Sequence, residues 1–380
     1  MYTDPRKKAI TVQLSWIYIL IAGAMILIFF SRVIVYVQGY GEKTITDNIR
    51  DQLNDAFVKI RADRLFFQQL QTPKDFKLER CDFGKMYYKI GRSSLKTQGI
   101  YSPSYLKPSQ EQLLLWTLPW EMPYWIDNML YLTSPEVLYV FIEDQWGYVK
   151  ELLEDPTYGL PANISRVVIS HEDFSRFVST KQKNVFKEII QKIDSFYKVK
   201  FVMVDAATDF GEGQDLQLTF PEEVMRKTDT AINILPDEGY GGLDGAGEIQ
   251  FFDVVGAEFT PGKTRPYLGR SLVFAAIFAQ DAQQYECNLQ YFMQRFKDVN
   301  QFTQKRAEML YESYPPEHEC HYYIEKFIES QLLQKQCIEI QDAIDNLSNA
   351  DTFKELYEMS RQIEDENYNL VRYRYCAGIY

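Results

Sequence analysis

Histidine is scarce, with three in 380 residues, and positive charge is outnumbered, with 41 Lys and Arg against 53 Asp and Glu. The first shortage leaves little scope for histidine-based catalysis. The second gives a formal charge of −12, which repels a phosphate backbone and excludes nucleic acid as a partner. No Gly-x-Ser-x-Gly elbow occurs, no lysine follows the glycine clusters as a phosphate-binding loop requires, and nothing matches the twelve-residue calcium loop. No cofactor is therefore expected. Internal repeats and low-complexity tails are also missing, which excludes solenoid and fibrous architectures. Aromatic residues are plentiful: 27 Tyr and 25 Phe bring the aromatic fraction to 15%, with 46% hydrophobic and 25% charged residues. That composition is globular and excludes disorder for most of the chain. A chain of this length is expected to divide into about two or three compact units.

From Ala9 to Ser31 there is no charged residue, and Trp16 to Phe30 is almost wholly apolar. About twenty such residues cross a bilayer, so residues 10–31 are predicted to be a transmembrane helix in contact with membrane lipid. A cleaved secretory signal would have a shorter apolar region and a small-residue cleavage site, whereas Arg32 and the run Val33-Ile-Val-Tyr-Val37 follow here. A signal-anchor fits better. Arg6, Lys7 and Lys8 flank the near side, so residues 1–9 are expected in the cytoplasm and the bulk of the chain beyond the cell membrane.

The expected fold class is α/β. Residues 32–72 read as an amphipathic stalk helix, with Ile45, Ile49, Leu53, Phe57 and Ile60 at helical spacing. Residues 73–135 read as a strand-rich and aromatic region, with short strands at Phe76–Cys81 and Met86–Ile90. Its Trp116, Trp120, Tyr124, Trp125 and Tyr131 are expected to pack inside, the alternatives being a stacking platform for sugar rings or an interfacial membrane patch. Residues 136–282 alternate short apolar runs with helical segments, the pattern of a covered, mostly parallel sheet. The runs are Val137–Ile142, Arg166–Ile169, Val199–Val204, Ala231–Leu235, Ile249–Phe252 and Leu272–Phe278. Residues 283–380 read as a helical bundle of three long segments, with Asp351 as an N-cap of the last.

Ligands of parallel sheets bind outside the carboxyl ends of the strands, and acids follow the apolar runs there: Glu143-Asp144, His171-Glu172-Asp173, Asp205, Asp237-Glu238 and Asp281. If Asp144, Asp173 and Asp205 converge, they can hold a divalent cation, with His171 as a base or further ligand. The competing use is ordinary: Asp and Ser after a strand are also the usual N-caps of the next helix. The glycine- and acid-rich stretches 206–223 and 236–247 are expected to be mobile surface loops. Asn163-Ile-Ser165 and Asn346-Leu-Ser348 fit the glycosylation triplet.

Cys81, Cys287, Cys320, Cys337 and Cys376 permit two disulfides and one thiol in an oxidising compartment. Cys337 lies within an apolar helical stretch and is the expected free thiol. The sequence leaves the pairing open; Cys287 with Cys320 would tie two helix ends, leaving Cys81 with Cys376. A rival use is zinc: Glu317-His-Glu-Cys-His321 puts His318 and His321 on one helix face beside Cys320, with Cys287 as a further donor.

The N-terminus, from Arg6 through the apolar helix to Met25, resembles a type IV pilin-like anchor, a basic stub and small residue leading into an apolar helix and a stalk. It is also similar to the start of uncharacterised archaeal single-pass membrane proteins, as is Cys376-Ala-Gly-Ile-Tyr380 at the other end. The resemblance implies cleavage after Ala9 and packing of the freed helices in a filament core. Gln13 stands where pilins usually carry a glutamate early in the helix, and the head of roughly 300 residues is large for a major subunit. The expected role is a structural or interaction protein of the cell envelope, part of a pilus-like or secretion assembly, with protein partners on the stalk helix or helical bundle. The alternative is a membrane-tethered, metal-dependent hydrolase.

Overall fold

The computed structural model describes residues 21, 24–32, 47–48, 50–55, 58–59, 65–71, 75–82, 85–90, 93–106, 112–180, 186–205, 220–256 and 258–380. Met1–Leu53 forms one compact unit and Asn54–Tyr380 another. In the first, residues 24–32 are helical, and Met25, Ile26, Leu27, Ile28, Phe29 and Phe30 are each more than half exposed. Among the described residues no helix is long and apolar enough to cross a membrane. Most of the span expected over 10–31, the stub before it and much of the stalk lie outside the described residues.

The second unit is a mixed α/β fold with three sheets and a C-terminal helical region. It begins with strands β1 (Phe66–Gln71), β2 (Phe76–Asp82), β3 (Lys85–Ile90), β4 (Ser93–Gln98), β5 (Ile100–Tyr101), β6 (Tyr105–Leu106), β7 (Gln112–Glu121) and β8 (Trp125–Thr133). They make two four-stranded sheets, ordered β1-β7-β8-β5 and β4-β3-β2-β6. The stalk expected to run to residue 72 therefore stops earlier. Phe66–Gln71 gives its backbone groups to the edge of β7, from Phe66 opposite Thr117 to Gln71 opposite Gln112, and tertiary pairing overrides the helical spacing.

The long hairpin β7–β8 is buried on both faces, which explains its unbroken apolar run. Trp116, Trp120, Tyr124 and Tyr131 are buried, as the packing reading expects, whereas Trp125, expected inside with them, is 38% exposed at the start of β8. Trp120 Nε1 donates to the Leu268 carbonyl at 2.8 Å, satisfying the one polar atom of a buried indole.

The next layer is a six-stranded sheet. It contains β9 (Val137–Ile142), helix α1 (Tyr148–Glu154), β10 (Arg166–Ile169), α2 (His171–Thr180), α3 (Lys187–Lys192), β11 (Lys198–Val204), α4 (Glu222–Met225), β12 (Thr228–Pro236), β13 (Ala246–Val255) and β14 (Glu258–Leu268). The order is β10-β9-β11-β12-β13-β14. The first four strands are parallel, whereas β12–β13 and β13–β14 are antiparallel. Connections too short for a crossover force the latter: β13 and β14 are joined by two residues, of which Gly256 has φ +66°. One face of the sheet buries Leu138, Val140, Phe201, Met203 and Phe252, with Phe177, Phe186, Ile189 and Phe220 packed on it.

The sixth apolar run is not a strand. It forms α5 (Arg270–Phe278), whose nine residues are all buried. A helix that is apolar all round carries no periodic signal, so its seven-residue run is indistinguishable in sequence from a covered strand. Trp116 packs edge-on against Phe274, with centroids 4.8 Å apart, and Tyr139 of the six-stranded sheet reaches Phe278 at 5.3 Å. Helix α5 thus lies between two sheets.

Four helices complete the chain: α6 (Ala282–Ser313), α7 (Glu319–Glu329), α8 (Leu332–Asp345) and α9 (Ala350–Arg374). The second of the three expected segments is split between α7 and α8, where Gln331 adopts φ +57°. The cap of α9 is Asn349, which accepts from the Asp351 amide, rather than Asp351 itself. Inside this region Asn300 and Tyr124 both donate to Gln336 Oε1, and Gln336 Nε2 donates to Ser360 Oγ at 2.9 Å.

Two disulfides join these elements, Cys81–Cys287 from β2 to α6 and Cys320–Cys376 from α7 to the segment after α9. The four bridged cysteines and the free Cys337 are those expected, but the partners are exchanged. The Cys287–Cys320 pairing fails because both lie on helices of one bundle at different heights: Cys287 starts α6 beside β2, and Cys320 starts α7 beyond the far end of α6.

Candidate functional site

In the parallel part of the six-stranded sheet the chain leaves β9 toward β10 and then crosses to β11, so the strand order reverses between β9 and β11. Ligands of open α/β sheets bind at such a point. Asp144 follows β9 and Asp205 follows β11, which puts both acids at the reversal.

Asp144 is engaged by the backbone. Its Oδ1 accepts from the amides of Trp146 (2.8 Å) and Tyr148 (3.0 Å), and its Oδ2 from that of Val149 (2.8 Å). The Tyr148 and Val149 amides are orphan donors at the start of α1, and the same carboxylate closes the turn before it through the Trp146 amide. Asp205 sits at φ +48° and its Oδ2 accepts from the Trp146 indole at 3.1 Å, bridging the two strand ends. Tyr148 donates to Glu238 Oε1 at 3.3 Å, in the connection after β12. Its hydroxyl is pushed up to about 12 by burial and by the charge of Glu238, with Asp144 and Asp205 adding to the effect. One negative field therefore covers the crevice.

The other expected residues are placed less centrally. His171 starts α2 and its Nε2 lies 3.3 Å from Gln145 Nε2 and 3.5 Å from Ser175 Oγ. Asp173 closes a cap with Ser170, whose hydroxyl accepts from the Asp173 amide and donates to its carboxylate at 3.0 Å. Asp237 accepts from the Gly239 amide and pairs with Lys354 of α9 at 2.7 Å. Asp281 belongs elsewhere, because it follows a helix and caps α6 through the Gln284 amide. The structure brings Asp144, Asp205 and Glu238 into one crevice through Trp146 and Tyr148, with His171 at its flank, and leaves Asp173 outside it. Among the described residues no group of three or more His, Cys, Asp or Glu is arranged to hold a metal ion. The capping role won because the first turn of each helix presents several amides at short range, and a carboxylate one to three residues upstream meets them before it can meet a cation.

Trp146 and Tyr148 are the residues that sequence reasoning passed over. The available signal was an aromatic pair two and four residues past an acid at a strand end. The stretch 236–247, expected to be mobile, is instead ordered: two short 3-10 turns stand there, and Asp244 binds Arg270. Most of the other glycine-rich stretch lies outside the described residues.

The zinc reading is overturned. Cys287 and Cys320 are consumed by disulfides. His318 Nδ1 accepts from the Cys320 amide as the N-cap of α7, and the rings of His318 and His321 pack on Tyr314 and Tyr311, with centroids 4.9 and 4.1 Å apart.

No protein family, curated protein or solved structure matches the chain.

Proposed function

We propose that the protein is a single-pass, membrane-anchored component of the cell envelope, whose disulfide-linked head stands beyond the membrane as an interaction module. The observation that carries this reading is the engagement of four of five cysteines in two disulfides, bonds that persist in oxidising compartments. The run of exposed apolar side chains on helical residues 25–30 supports an anchor, since such a surface is ordinarily covered by lipid or by another protein. The resemblance of the N-terminus to pilin-like anchors makes a pilus-like or secretion assembly the first host to test. The rival reading, a tethered metal-dependent hydrolase using His171 and Asp205, is weakened by the engagement of the Asp144 carboxylate with three amides before and at the start of α1 and of the Asp173 carboxylate with the Ser170 hydroxyl.

Intact mass of the membrane-extracted protein tests the proposal. Without reductant, alkylation is expected to add one label, at Cys337, and with reductant five. Five labels without reductant would overturn the exported orientation. A mass lacking residues 1–9 would add pilin-type processing.

A further inference from the structure

A cleft of about 550 Å³ opens between α6, the turn joining β7 to β8, and the C-terminal segment. It shares no residue with the acidic crevice. Its helical wall is a stripe of α6 at positions 295, 299, 302 and 306, the spacing that stacks side chains on one helix face. Phe302 is 69% exposed at the middle of this stripe, and Trp125 and Tyr380 form the opposing aromatic walls.

The two ends of the stripe are arginines, about 16 Å apart along the helix. Arg295 lies 3.5 Å from Asp127, which also accepts from the Tyr291 hydroxyl. Arg306 donates to the Gly378 carbonyl at 3.2 Å, and among the described residues no carboxylate pairs with it. Asp298 is the single acid in the lining. Asp127 and Asp298 offset Arg295, which leaves Arg306 as the cation of this wall that a ligand's carboxylate can meet.

We infer that this cleft binds a soluble amphipathic organic acid, with one carboxylate held by Arg306 and an apolar body laid along Phe302 and Trp125. The volume lies within the range of small-molecule sites, the walls are mostly apolar and aromatic, and a guanidinium is the group that recognises a carboxylate with directional bonds. The inference does not depend on the anchor, since every residue of the cleft lies in the second unit.

The test uses dodecanoate below its micellar concentration, with dodecanol as the uncharged analogue, followed by calorimetry and by tryptophan fluorescence. Dodecanoate is expected to bind the protein more tightly than dodecanol. Arg306→Gln, at an exposed position, is expected to weaken dodecanoate by about tenfold or more while leaving dodecanol unchanged. Phe302→Ala should weaken both, and Trp125→Phe should remove the fluorescence change. Equal binding of acid and alcohol, or an Arg306→Gln variant that binds dodecanoate as before, would overturn the proposal. Binding seen only to vesicles of anionic phospholipid, and not to the free acid, would also overturn it.

Discussion

No cysteine falls between Asp82 and Glu286, a gap that holds the whole six-stranded sheet and its helices together with β3 to β8. The sheet region and the layers that flank it are held together by different means. Strands β9 to β14 and their helices come from one continuous stretch of chain, and their core of Phe177, Phe186, Phe201, Phe220 and Phe259 closes through contacts local to that stretch. The flanking layers combine β1 to β8 with α6 to α9, segments on opposite sides of the sheet region in sequence. Cys81–Cys287 spans 206 residues and encloses the whole sheet region in its loop. The covalent bond sits where loop closure costs the most entropy, and the part that closes its own core carries none.

The largest test of this contrast is removal of the bonds. Replacing Cys81 and Cys287 together by Ser is expected to cost about 5 kcal/mol, and replacing Cys320 and Cys376, which are 56 residues apart, about 4 kcal/mol. Urea unfolding followed by the fluorescence of Trp116 and Trp120 should show the flanking layers lost first in the reduced protein. Coincident loss of the sheet region would break the comparison.

A smaller effect is expected where the two regions meet. Arg270, at the start of α5 and 7% exposed, binds Glu151 and Asp155 on one side and Asp244 on the other. Arg270→Met leaves three carboxylates without their cation. Because Glu151 and Asp244 are partly exposed and can rehydrate, the cost is set at about 2–3 kcal/mol, below that of a fully buried pair. Splitting of a single denaturation transition into two would sharpen the comparison by showing that this residue couples the regions.

A third expected effect is a pH slope. Lys200 of β11 is buried and its amine donates to the carbonyls of Ala276 and Ala279 at the end of α5. Burial pushes this amine down to about 7, against an ordinary value of 10.5. Between those values the unfolded chain binds a proton that the folded chain does not, so stability should rise with pH from about 7 to about 9.5, by at most ~1.4 kcal/mol per unit. Near pH 10 the trend reverses, because burial raises the hydroxyls of Tyr101, Tyr131 and Tyr285 and the unfolded tyrosines ionise first. Thermal denaturation of Lys200→Met across pH 6 to 9 should lack the rise.

Strands with a periodic or bounded signal were legible in the sequence. Val137–Ile142, Arg166–Ile169 and Val199–Val204 are parallel neighbours as expected, and Ala231–Leu235 joins them. Leu272–Phe278 was not legible, because burial on all sides erases the periodicity that separates helix from strand. The candidate site was legible only by position. Asp144, Asp205 and Asp237 do follow strands, Asp281 follows a helix instead, and whether Asp144 meets a cation or three amides depends on where the chain turns into α1. Cysteine pairing was beyond reach, since it depends on β2 lying against α6, a contact between segments two hundred residues apart.

Helix α5 touches β7, β8, β12 and β14, and so belongs to both sheet systems at once. Val273 to Phe278 are at most 1% exposed between the two sheet systems, so their amides do not reach solvent by fraying of the helix ends. Deuterium uptake at Val273 to Phe278 should then occur only when the entire second unit opens, which makes this short segment a natural clock for global unfolding.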